Sequence, residues 1–271
     1  MTAARIAPGP LRVRDTLRGA VRVAGMTQPV AVITGAAGAI GSRLVVRFRE
    51  AGYVVVGLDL PALVGDDEAM VGCDITDEAS VAGAFEQVLE RAGRIDVLVN
   101  NAGISAIGAF ADHGVDVHRR VMEVDYLGVV ACTQAALPAV VASRGRLVLI
   151  GSVTGFAPVL GRPAYVAAKH AATGLYEALR PELAGSGVGV TVVHPTFVTG
   201  GMGEAADRAS GTERATSGPE VTSDDVARAV VDGVVRRRER VLVGRTARLS
   251  WYVSRLFPRL YVRLMTRRLA R

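Results

Sequence analysis

The chain has 271 residues, half of them hydrophobic, with a net charge of +6, two cysteines and four histidines. This length and apolar content suit one substantial domain with a buried core. Cys73 and Cys132 form no CxxC pair and no His/Cys cluster accompanies them, which excludes a disulfide framework and a structural zinc site and fits a reducing cytoplasm.

The charge is concentrated at the ends. Residues 1–25 hold five Arg and one Asp, residues 236–271 hold twelve Arg and one Glu, and the stretch between carries a net charge of −9. An acidic body disfavours nucleic acid as a partner of the basic tail. Residues 1–27, rich in Arg, Ala, Gly and Pro and lacking a secretory apolar core, read as a disordered basic extension, with Met26 a candidate start beside Met1.

From Val30 onward a short apolar run, a loop and a stretch with helical spacing repeat. Strands are predicted over 30–34, 53–58, 69–73, 95–100, 146–150 and 188–194, with a further short strand at 241–243 closing the edge. Continuous Val/Ile/Leu runs between helices are what a parallel sheet covered on both faces requires. The fold class is therefore α/β, a doubly wound parallel sheet in a three-layer α/β/α sandwich, with one domain over 28–245 and a basic helical extension over 246–271. Its ligand crevice lies at the carboxyl ends of the strands. The richest apolar stretch, 128–142, is interrupted by Thr133, Gln134 and Pro138 and reads as a buried helix. Residues 199–223, dense in Gly, Ala, Ser and Thr, read as a mobile loop.

The first strand runs into Thr34-Gly35-Ala36-Ala37-Gly38-Ala39-Ile40-Gly41, and a helix is predicted to begin near Ile40. Glycines there let the backbone turn tightly against a pyrophosphate, which free amides and the helix dipole attract. Asp59 ends the second strand, where a carboxylate accepts hydrogen bonds from both ribose hydroxyls of an adenosine and repels a 2′-phosphate. Leu60 and Pro61 follow rather than a cation, so NAD is expected in preference to NADP. Asp74 and the run Asn100-Asn101-Ala102-Gly103 fall on the same strand edge.

Among 32 basic residues the chain has one lysine, Lys169, four places after Tyr165. That spacing puts both on one helix face. A neighbouring ammonium favours the phenolate and is expected to lower the Tyr165 pKa toward neutrality, making the tyrosine a general acid or base. Taken alone, a YxxxK match is weak, since an amphipathic surface pair would look the same.

Together the TGAAGAIG turn, Asp59, Asp74, the NNAG run, Ser152, the YVAAK run and Pro195 resemble the compact single-domain branch of the short-chain dehydrogenase/reductase family, over about residues 28–245. The resemblance implies a Rossmann fold and an NAD(P)-dependent oxidoreductase acting on a secondary alcohol or ketone. Tyr165 would exchange a proton with the substrate oxygen, Ser152 would hold that oxygen, and Lys169 would bind the nicotinamide ribose. Cofactor contacts would fall on Gly35, Gly38, Ile40 and Gly41 of the turn, on Asp59, Asp74 and Ile75, and on Asn101, Ala102 and Gly103. Further contacts would come from Tyr165, Lys169, Pro195, Val198 and Thr199. No metal is implied, and a homo-oligomer, dimer or tetramer, is.

Three departures stand out. Ala39 occupies a position where this branch usually has glycine, so the string fits TGxxGxxG. Asp125, in Glu123-Val124-Asp125-Tyr126-Leu127-Gly128, stands where the family carries an asparagine; an aspartate there is expected to pair with Lys169, temper its effect on Tyr165 and shift the pH optimum. The usual Pro-Gly is Pro195-Thr196, and Thr199 is expected to replace a hydroxyl lost at Gly200. A catalytically weakened, NAD-binding regulatory or structural protein is the alternative, and Asp125 favours it.

Phe156, Val159, Leu160, Phe197 and Met202 are expected either to form an apolar substrate pocket or, for several of them, to pack in the core, and His194 and His170 are read as a strand-end and a surface residue. In the tail, Leu249, Tyr252, Val253, Leu256, Leu260, Tyr261, Leu264 and Met265 recur at helical spacing with arginines between them, and Pro258 marks a kink or a second helix. Such a segment either lies on an anionic membrane surface, or packs on its own subunit or caps an oligomer.

Overall fold

The structure is a computed structural model and describes residues 28–199 and 219–267. Seven parallel strands form one sheet: β1 (Val30–Thr34), β2 (Val54–Asp59), β3 (Met70–Gly72), β4 (Val97–Asn100), β5 (Arg146–Ile150), β6 (Gly189–Pro195) and an edge strand at Arg240–Val243. Running across the sheet the order is β3-β2-β1-β4-β5-β6 and then the edge strand. The order reverses between β1 and β4, and this switch point opens the crevice. β1 is central, with Val32 paired to Val56 on one side and Leu98 on the other. All five of its residues are buried, which explains why it is apolar throughout rather than alternating.

Helices cover both faces. One face packs on α1 (Ala39–Glu50) and α7 (Ser223–Val235), through Leu44, Phe48, Val226 and Val230. The other packs on α3 (Glu78–Ala92), α5 (Gly128–Ala142) and α6 (Pro163–Leu183), through Phe85, Val88, Cys132 and Tyr176. A short α2 (Pro61–Val64) follows β2, and α4 (Val115–Met122) runs into α5 through a single π-helical turn, Glu123–Leu127. By length and composition alone the run Val115–Ala142 is long and apolar enough to cross a membrane. In the fold its buried side chains, Val129, Cys132, Ala136 and Val140, belong to the core against the sheet.

Caps set several helix boundaries. Asp77 accepts from the Ala79 amide at the start of α3, and Gly93, at φ 71°, ends it in the left-handed region that favours glycine. Thr222 and Asp225 form a reciprocal capping box at α7. Two residue pairs, β7 (Val198–Thr199) and β8 (Val221–Thr222), form a small parallel ladder flanking residues 200–218. The predicted loop at 199–223 thus ends in ordered ladder residues, while its interior lies outside the described residues, as does the predicted extension at 1–27.

The edge strand, β9 in chain order, feeds directly into α8 (Arg245–Leu256), and α9 begins at Pro258 and runs to Thr266. Pro258 is therefore the first residue of a second helix rather than a kink within one, as its fixed φ and missing amide favour.

Candidate active site

A crevice of about 1,040 Å³ lies along the carboxyl ends of the strands. Gly35 turns there at φ 65°, and a Cβ on it would stand 2.8 Å from the Ala102 Cα. A Cβ on Gly41 would collide with the Gly35 carbonyl, so both positions require glycine for close packing. Gly38 is extended, at φ −70° and ψ 170°, and caps α1, which starts at Ala39. Ala39 is thus an ordinary first helical residue, and its backbone asks for no glycine.

Polar side chains stitch the turn to its neighbours. Asp59 accepts from the amides of Ala37 and Leu60, at 2.8 and 2.9 Å, which holds its carboxylate on the crevice wall. A carboxylate has about four acceptor sites, so capacity for ribose hydroxyls remains. Asn101 donates to the Thr34 and Gly35 carbonyls, each at 3.0 Å, and Thr34 Oγ1 accepts from the Asn101 and Ala102 amides. Asp74 accepts from the amide and hydroxyl of Thr76. The buried Asn100 donates to Thr133 and to Tyr176, whose hydroxyl pKa rises to about 12 in its buried site.

Ser152, Tyr165 and Lys169 meet in the middle of the crevice. Ser152 follows β5, where its hydroxyl accepts from the Thr154 amide at 3.2 Å, and Tyr165 and Lys169 share a face of α6; all three side chains line the crevice. The Lys169 ammonium lies 5.5 Å from the centre of the Tyr165 ring and donates to the Ile150 carbonyl at 3.3 Å. Asp125, fully buried on the π-helical turn, places Oδ2 3.1 Å from Lys169 Nζ and accepts from the Ile104 amide at 2.7 Å. A Cβ on Gly103 would press on both members of this ion pair, at 3.1 Å from Asp125 Oδ2 and 3.3 Å from Lys169 Nζ.

The electrostatic outcome differs from the expectation for Tyr165. Burial raises its pKa and Asp125 pushes the same way, while Lys169, Arg162 and the Ser152 hydrogen bond pull it down; the net shift is upward, not toward neutrality. The desolvation of a phenolate outweighs one ammonium whose charge is already shared with a carboxylate. Burial would lower Lys169, but Asp125 and Tyr165 more than offset it, so the ammonium is held charged.

Other placements refine the sequence reading. Val159 and Phe197 line the crevice, but Phe156 packs edge-on to Trp251 and His194, Leu160 is exposed, and Met202 lies outside the described residues. Pro195, Thr196 and Val198 line the crevice, whereas Thr199 does not; its hydroxyl donates to Glu220 because β7 pairs with β8. Sequence reasoning missed Arg162, which is nearly buried on the crevice wall with its guanidinium 5.9 Å from the Phe197 ring. The tail was expected to help define the pocket, and it does so through Thr246, Ser250, Tyr261 and Met265, which sequence reasoning did not single out as lining residues. The available signal was a second apolar stripe in the tail, one more than a surface helix needs.

His194 is a buried strand-end residue, as expected. Its Nδ1 is 2.9 Å from the Ser152 carbonyl, so it donates as a neutral imidazole, and burial drives its pKa down to about 4. Between that value and an unfolded value of about 6.5 the unfolded chain binds more protons, so stability falls as pH drops through this window, by about 3 kcal/mol in all. A His194→Gln protein is expected to show a flatter dependence of unfolding free energy between these pH values; an unchanged slope would assign the acid lability elsewhere.

The family model described as short chain dehydrogenase matches residues 29–210. Dehydrogenase/reductase SDR family member 7B of Rattus norvegicus is 34% identical over 262 residues, which cover 88% of this chain and 81% of the relative. Oxidoreductase UcpA of Escherichia coli is 34% identical over 217 residues, covering 76% and 81%. A solved short chain dehydrogenase from Burkholderia cenocepacia in complex with NADP superposes with a TM-score of 0.76 at 24% identity, over 88% of this chain and 97% of that one. An SDR from Burkholderia phymatum in complex with NAD gives 0.70 at 23% identity, over 84% and 95%. The family match and these relatives define the class, an oxidoreductase of CH–OH groups. The chain belongs to the short-chain dehydrogenase/reductase family.

Proposed function

We propose that this chain interconverts an apolar secondary alcohol and its ketone with NAD(H), using Ser152, Tyr165 and Lys169. The observation that carries this reading is their convergence: Ser152, Tyr165 and Lys169 line one crevice of about 1,040 Å³, with the ammonium 5.5 Å from the centre of the tyrosine ring. The cofactor, when bound, exchanges hydride with the substrate carbon. Gly35, Gly38, Ile40 and Gly41 would hold its pyrophosphate, Asp59 the adenosine ribose, Asp74 and Ile75 the adenine side. Asn101, Ala102, Gly103, Pro195 and Val198 would flank the other half, with Lys169 on the second ribose. Thr199 is the weakest of the expected contacts, given its bond to Glu220.

In this reading Tyr165 moves the proton at the substrate oxygen and Ser152 steadies the charge that develops there as a preorganised donor. A tyrosine raised above its ordinary value stays protonated at neutral pH, the form that donates a proton to a ketone. Burial is the main cause of the upward shift, and replacing Asp125 with asparagine would remove the one charge that adds to it. The rise of alcohol oxidation with pH, which needs the phenolate, is then expected at lower pH than in the wild type; an unchanged pH-rate profile would count against the pairing.

NAD is proposed over NADP because Asp59 sits on the crevice wall with Leu60 and Pro61 behind it. A KM for NADPH about tenfold or more above that for NADH is expected, and Asp59→Ala should narrow the gap; equal KM values would oppose the assignment. Homo-oligomerisation is also proposed. Its support is α5, which has no charged residue from Gly128 to Ala142 yet leaves Val141 exposed, with Leu127 just before it. Buried, unpaired Cys73 and Cys132 support a reducing cytoplasmic setting.

The second reading, a weakened NAD-binding member, is favoured by the Asp125 carboxylate against Lys169. A screen of steroid, fatty and aromatic alcohols and ketones, following the absorbance of the reduced cofactor, separates the two: NADH binding with no turnover anywhere in the panel favours the second.

A further inference from the structure

We propose that the outward face of α8 and α9 docks on an anionic lipid bilayer and holds the mouth of the crevice against it. The docking stands on its own observations; only its use in delivering an apolar substrate rests on the function proposed above.

Both helices carry two apolar faces. The inner one includes Ala247, Trp251, Tyr261 and Met265, packed on Val153, Phe156 and Ala157. Trp251 is clamped there, with the Arg255 and Arg240 guanidiniums 3.6 and 4.1 Å from its ring centre. The outer face is a different set. Leu249, Tyr252 and Leu256 recur at i, i+3 and i+7 on α8 and are 65%, 61% and 66% exposed, and Phe257, Leu260 and Leu264 repeat the spacing through α9 at 60%, 45% and 46%. The two stripes join where Leu256 meets Phe257. Six large apolar side chains held in water by otherwise anchored helices mark an interaction surface.

Charge selects the occupant. Residues 245–267 contain arginines 245, 248, 255, 259, 263 and 267 and no acidic residue. A second copy pairing through this face would set the same arginines against each other. An apolar stripe edged with arginine instead matches a bilayer whose interior takes the leucines and whose anionic headgroups take the guanidiniums. The same helices wall the crevice from their inner side through Thr246, Ser250, Tyr261 and Met265. One helix diameter, about 10 Å, thus separates the crevice from the docking face.

The test is co-sedimentation of the full chain with vesicles of phosphatidylcholine alone or with about one third phosphatidylglycerol, chosen to carry the anionic surface that recruits arginines. The wild type is expected to sediment with the anionic vesicles and to remain in solution with the neutral ones. Leu249→Glu with Leu256→Glu should weaken that binding about tenfold or more, and Arg248→Gln with Arg259→Gln should also weaken it. NADH titration of each variant serves as the fold control, since none of these side chains lines the crevice. Wild-type protein that stays in solution with anionic vesicles overturns the proposal, as does undiminished binding by both variants. If the wild type ignores vesicles and Leu249→Glu with Leu256→Glu lowers its mass in equilibrium sedimentation, the face belongs to a second copy. Vesicle binding by a protein with no turnover would leave docking intact and remove the proposed activity.

Discussion

Lys169→Met is expected to abolish turnover and to destabilise the fold by about 3–5 kcal/mol, the usual cost of leaving one member of a buried ion pair behind. The orphan would be Asp125, fully buried with Oδ2 3.1 Å from the missing ammonium and only the Ile104 amide still donating to its other oxygen. Adding Asp125→Asn removes that stranded charge. The double variant should therefore regain most of the lost stability, because two neutral side chains now share the cavity, while turnover stays absent. Residues in direct contact are where single effects fail to add, so the cycle isolates the pair. Urea unfolding of the four proteins, with NADH-dependent activity measured in parallel, reads both effects. Recovery of activity together with stability would mean that Lys169 acts on the fold alone.

Tyr165→Phe is expected to lower kcat by about 10²–10⁴-fold, the range that a positioned proton donor supplies. It removes one oxygen from the crevice and leaves the ring against Lys169 in place, so NADH affinity should change little. That split, with kcat lost and cofactor binding kept, distinguishes a proton-transfer role from a packing role. Stopped-flow binding with steady-state kinetics decides it, and retention of wild-type kcat would remove Tyr165 from the reaction.

Much of the architecture was legible because each strand is apolar for a reason visible in sequence. β1 and β5 coincide with their predicted bounds, since both are buried on both faces and bounded by turns. The crevice residues at strand ends were legible by the same logic: a glycine turn, Asp59, Asp74 and the NNAG run all follow apolar runs. What was hidden depends on burial and on contacts distant in sequence. The pairing of Asp125 with Lys169 was legible and is found at 3.1 Å, but the upward shift of Tyr165 comes first from the desolvation of its buried site, and nothing in the string EVDYLG signals the π-helical turn that carries Asp125 in. Sequence leaves Phe156 between the substrate pocket and the core; the structure puts its ring against Trp251, nearly a hundred residues away in sequence, a contact that no local pattern reports. The tail's two readings turned out not to exclude each other, since one face packs on the subunit while another remains exposed.

The pH dependence of NADH-driven ketone reduction tests the central claim most directly. With Tyr165 as a proton donor held above the ordinary tyrosine value by burial and by Asp125, the rate should be level through neutrality and fall only in the alkaline range, as the phenol loses the proton it must give. Asp125→Asn should bring that fall to lower pH. A wild-type rate that already declines across neutral pH, or one that stays level after the phenol has ionised, would contradict the account.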